Sequence, residues 1–89
     1  MDELRRPVEF LGSSLADLKA FPDEARSEAG HQINRIQLGL DPADWKAMPS
    51  VGAGAYEIRV RDAAVAFQVI YVTKKAEALF VLHCFQKKT

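Results

Sequence analysis

The spacing of apolar residues changes period once along this chain, from helical to alternating, which confines the fold to helices first and a sheet after. In the first half Ala25, Ala29, Ile33, Ile36 and Leu40 follow helical spacing, with Glu24, Glu28, Arg35 and Gln37 on the opposite side. In the second half Tyr56, Ile58 and Val60 alternate with Glu57, Arg59 and Arg61, the pattern of a half-buried strand with a charged face. Val65 to Thr73 is nearly all apolar and β-branched or aromatic, which suits a central strand covered on both faces. Lys74-Lys75-Ala76-Glu77 turns the chain, and Ala78 to Phe85 forms the next strand.

Local signals complete the order. Pro7 to Leu11 reads as a short first strand that Gly12 ends. Ser14-Leu15-Ala16-Asp17 has the form of a capping box, so a short helix begins there and stops near Phe21, before Pro22. Pro22 is placed as the first residue of a second helix, with Asp23 and Glu24 at its positive end. Gly39 and Asp41-Pro42 end that helix, and Asp62-Ala63-Ala64 makes a tight connection between strands. The result is an α+β chain, β-α-α-β-β-β, in which an N-terminal strand and a helix hairpin pack on a mainly antiparallel sheet. With 89 residues, it is expected to form a single domain over 1–89.

The net charge is zero, but it is unevenly placed. Residues 1–44 hold nine carboxylates against five Lys/Arg, and residues 45–89 hold seven Lys/Arg against three carboxylates. Such a two-signed chain suits a basic half that meets a polyanion or an acidic partner. The one cysteine, Cys84, excludes an intramolecular disulfide and reads as a buried apolar residue. Two histidines, His31 and His83, are too few for a histidine-rich metal site, so neither metal nor cofactor is expected. The apolar runs are too short to span a bilayer and the first residues carry no signal core, so the expected location is the cytoplasm, away from membranes. Val51-Gly52-Ala53-Gly54-Ala55 lacks the third glycine, the Lys-Ser/Thr and the following helix of a phosphate loop; it reads instead as a bend entering the sheet. Trp45 is expected to cover the core edge between the second helix and the sheet, and Tyr56 and Tyr71 to be core residues with a polar tip.

Tyr56-Glu57-Ile58-Arg59-Val60, Ala66-Phe67-Gln68-Val69-Ile70-Tyr71 and Val81-Leu82-His83-Cys84-Phe85-Gln86-Lys87-Lys88-Thr89, with Phe21-Pro22 at the helix corner and the Gly39-Leu40 exit, carry a resemblance. In this order they resemble the RelE/ParE superfamily of toxin–antitoxin toxins, closest to its HigB-like, phage-related branch. The likeness runs from about Val8 onward. It implies a toxin neutralised by a cognate antitoxin, often a helix-turn-helix repressor in this branch, and a ribosome-dependent endoribonuclease that cuts messenger RNA. ParE-like relatives share the fold and inhibit DNA gyrase instead, and an inactive relative that only binds an antitoxin is a further alternative.

The resemblance assigns roles by position. Arg59 falls where the family places a basic sheet residue, and Lys87 and Lys88 fall on the basic pair ending the last strand. Arg61 extends the same face as a substrate contact. His83 is the candidate proton-transfer group, since imidazole exchanges protons near neutral pH. Fixed guanidinium and ammonium groups stabilise the phosphorane charge without a metal. Gln68 stands where the family usually has an arginine at the scissile phosphate, so the resemblance implies a substrate contact without its charge and an attenuated toxin. Glu57 puts a negative charge beside the expected anion site. Relatives continue into a C-terminal segment where this chain reads Lys87-Lys88-Thr89, so a missing segment is expected.

Overall fold

The computed structural model describes residues 5–74 and 77–87. The chain runs β1 (Val8–Phe10), α1 (Ser14–Lys19), α2 (Asp23–Gln37), β2 (Trp45–Ala47), β3 (Ala55–Asp62), β4 (Val65–Lys74) and β5 (Ala78–Lys87). The strands lie in the order β1-β5-β4-β3-β2, with β1 parallel to β5 and every other pair antiparallel. This is the α+β class and the element order expected, with one addition. Trp45-Lys46-Ala47 forms a short edge strand along Tyr56–Ile58, in a stretch too brief to show any period.

Both helices lie on one face of the sheet, α1 over β5 and α2 over β3, and they touch each other far less than they touch the strands. The hairpin is therefore organised by the sheet. Leu18, Phe21, Ala25, Ala29, Ile33 and Ile36 meet Ile58, Val60, Phe67, Val69, Tyr71, Leu79, Val81 and Cys84 in one core. Small residues at 25 and 29, at most 1% exposed, let α2 approach the strands closely.

Some local expectations shift by a residue or more. The cap of α1 is Ser13, whose hydroxyl donates to Asp17 Oδ2 at 2.8 Å, while Ser14 is buried and donates to the Val81 carbonyl at 3.1 Å. Pro22 is the cap of α2 rather than its first residue. At the other end Gly39 takes φ +84°, its N–H donates to the Ile36 carbonyl and the Leu40 N–H donates to the Arg35 carbonyl at 2.9 Å. This is a Schellman ending, and it carries Leu40 out of helical phase, so that Leu40 is 50% exposed instead of buried. The bend before β3 needs Gly54, at φ +78°, where a Cβ would come 3.1 Å from the Thr73 carbonyl.

Two acids of the core are held neutral. Burial, with Asp17 adding to it, pushes the Cys84 thiol from 9.0 up to about 12. Burial, then Tyr56 and Asp41, pushes the Tyr71 hydroxyl from 10.0 up to about 12. As pH rises the unfolded chain ionises first, so this stability is whole below pH 9 and drains away between 9 and 12. Denaturant titrations across that range are expected to show the midpoint falling, and Cys84→Ala is expected to flatten the lower part of the fall. The β3–β4 connection gives a second test. Asp62 pairs with Val65, and Ala63, first of the two loop residues, sits at φ +57°, where such a turn takes glycine. Ala63→Gly is expected to raise unfolding free energy by about 1 kcal/mol in urea melts.

Candidate functional site

Cross-strand partners share a face, and faces alternate along each strand. The side turned away from the helices can therefore be read from the register. Arg61 on β3 pairs with Ala66 on β4, which pairs with Lys87 on β5. The next row is Arg59, Gln68 and Phe85, and the one after is Glu57, Ile70 and His83. Lys46 on β2 joins this face opposite Glu57.

A bulge in β5 produces this set. Tyr71 pairs with Val81, but Ile70 pairs with His83, so Leu82 is an extra residue. Without it, Leu79, Val81, His83 and Phe85 would share one face. With it, Cys84 turns into the core at 4% exposure, and His83, Phe85 and Lys87 turn outward, all exposed.

Arg59, Arg61 and Lys87 line one open recess of about 430 Å³, together with Ala64, Val65, Ala66 and Gln86. These three sequence-derived candidates are thus brought together. Arg59 and Arg61 also border a second recess on the helix side, beside Glu24, Glu28, Asp44 and Asp62. The guanidiniums therefore stand on a boundary between a basic and an acidic surface. His83 is on the same face but outside the cationic recess, four residues or about 13 Å along β5 from Lys87. Lys88 lies outside the described residues.

Gln68 is 4% exposed and does not line the recess; its Nε2 donates to Oε2 of Glu57. Glu57 itself is 4% exposed, although alternation places it with the charged residues of β3. Its Oε1 is buried with no hydrogen-bond partner among the described residues, 3.8 Å from Arg59 Nε and 4.0 Å from Lys46 Nζ. Lys46, Glu57 as a buried group, and Phe85 at 39% exposure are the members of this face that sequence reasoning did not assemble. Among the described residues no cluster of three His, Cys, Asp or Glu side chains is placed to hold a metal ion, and no helix is long and apolar enough to cross a membrane.

Trp45 stands edge-on to Tyr56, which lies beside Tyr71, with centroids 5.5 and 5.7 Å apart. Trp45 thus flanks the core as expected, but from an edge strand and 44% exposed.

The model of a family described as phage derived protein Gp49-like (DUF891) matches residues 16–89 of the chain. No curated protein matches it significantly.

The Gln68 amide is the donor that satisfies one oxygen of a buried carboxylate. Gln68→Leu is expected to lower unfolding free energy by about 2 kcal/mol, since it strands that oxygen. Adding Glu57→Leu to Gln68→Leu is expected to recover most of the loss, because the buried charge leaves with its partner. Urea melts of the single and double variants check both statements.

Proposed function

The chain belongs to the phage-derived Gp49-like family, and on that premise we propose that it is a toxin-like endoribonuclease that cuts messenger RNA on the translating ribosome. The observation that carries this reading is the convergence of Arg59, Arg61 and Lys87 on one open recess on the face away from the helices. A single-stranded polyanion is the ligand such a recess favours, because planar guanidinium forks match phosphate oxygens and the lysine adds a point charge.

The chemistry follows from those groups. The 2′-oxygen attacks the adjacent phosphorus and gives up its proton to a base, and the 5′-oxygen departs with a proton from an acid. The products are a 2′,3′-cyclic phosphate and a 5′-hydroxyl. Negative charge builds on the non-bridging oxygens as the phosphorane forms, and Arg59, Arg61 and Lys87 stabilise it without a metal ion. Lys88, outside the described residues, is a further phosphate contact on the family resemblance alone. His83, on the same face but about 13 Å along β5 from Lys87, is too far to exchange a proton directly at a phosphate held in the recess. Its part in this reading is a contact to a neighbouring nucleotide, and water serves as base and acid of the step. Gln68 is buried against Glu57 rather than in the recess, so the attenuation attached to it rests on the family resemblance. A cognate antitoxin, a helix-turn-helix repressor in this reading, would neutralise the protein in the cytoplasm by covering the basic face.

Induced expression with mapping of RNA 5′ ends tests the proposal. New ends inside translated messages are expected for the wild-type chain. Arg59→Ala is expected to reduce them about 100-fold, as removal of one fixed transition-state donor does. Growth arrest with unchanged messages, together with blocked DNA supercoiling by the purified protein, would replace the nuclease with a gyrase inhibitor. Neither effect, alongside retained antitoxin binding, would leave an inactive relative.

A further inference from the structure

Glu57 is the charged group of this face that the proposed chemistry leaves unused. A carboxylate 4% exposed inside a cationic patch is costly unless it is paired. One oxygen is held by the Gln68 amide. The other, Oε1, has no hydrogen-bond partner among the described residues, and of its two cationic neighbours the Nε atom of Arg59 is the nearer, at 3.8 Å. That distance is too long for a hydrogen bond and short enough for a small rotation of Arg59 to make one.

The edge of the guanidinium that Glu57 meets is informative. Nε is the inner nitrogen, next to the aliphatic stem, and the two Nη groups form the outer edge of the plane. A carboxylate on the Nε side leaves the outer edge for the recess that Arg59 lines. Arginine's stem has several rotatable bonds, so an anchor on Nε restricts where the outer edge aims. Lys46, 53% exposed and 4.0 Å from the same oxygen, supplies charge balance from the edge strand without competing for the recess.

We infer that Glu57 is a positioning residue: its buried carboxylate, itself held by Gln68, grips Arg59 by the Nε edge and presents the Nη edge to an anion. The part this plays in RNA cleavage rests on the function proposed above, while the Glu57–Arg59 link stands apart from it.

The side-chain Nε–H signals of arginine in nitrogen–proton NMR spectra test the link on the intact chain. In the wild type the Arg59 Nε–H is expected to exchange with water several-fold more slowly than in Glu57→Gln, with a clear shift of its resonance between the two. An unchanged Arg59 signal overturns the inference. In the cleavage assay Glu57→Gln is expected to lower kcat about tenfold with KM unchanged or lower, since a negative charge has been removed from beside the phosphate. Arg59→Lys keeps the charge and lacks the Nε edge, so it is expected to lose a similar factor, and the double variant no more than either single one. Losses that multiply, or a rise in KM that accounts for the whole effect, would also overturn the inference. If the wild-type chain cuts no RNA, the nuclease reading falls and the Nε–H comparison still decides the role of Glu57.

Discussion

One extra residue in β5 decides which side chains this protein shows to its surroundings. Strand geometry has a period of two, so a single insertion exchanges the two faces for everything that follows it. At Leu82 the insertion sends Cys84 into the core and turns His83, Phe85 and Lys87 outward, into register with Arg59 and Arg61 two strands away. The core and the basic face are therefore two results of the same irregularity. Closing the bulge would bury a histidine and a lysine against the helices and bring the thiol out.

The face so formed holds opposed charges at close range. Three cations line the recess while one carboxylate sits buried a strand position away, tied to a glutamine amide and approached by two of the face's basic side chains. Like charges gathered without a counter-ion repel one another and weaken the compact state. Glu57 offsets part of that repulsion from within the sheet and leaves the outward surface positive. The uneven charge of the two chain halves acquires a spatial meaning here. Acidic Glu24 and Glu28 of α2, with Asp44 beyond it, meet Arg59 and Arg61 along one edge, and the basic surface continues from there toward Lys87.

Most of the fold was legible because it rests on periods long enough to read. The fifteen residues of α2 and the eight of β3 each repeat their pattern several times. The bulge was not legible, because Ala78 to Phe85 is apolar at nearly every position and no alternation exists for an extra residue to break. Edge strand β2 was missed for want of length. Of the site, Arg59, Arg61 and Lys87 could be placed on one face from their spacing and the family likeness. Glu57 was placed on the same face correctly and assumed to be wet. Its burial depends on Gln68, Ile70 and Lys46 crowding around it from two neighbouring strands, and the sequence of β3 holds no trace of that.

What unites these features is a basic surface opposite the helices, and the function proposed for it is to lie against a phosphate backbone. Backbone amide shifts of the intact chain, titrated with a short RNA made uncleavable by 2′-O-methylation, probe that surface most directly. Saturable shifts centred on Arg59, Arg61, Phe85 and Lys87, weakening steeply with added salt, are expected. Shifts centred on α1 and α2, or a flat titration at low salt, would contradict it.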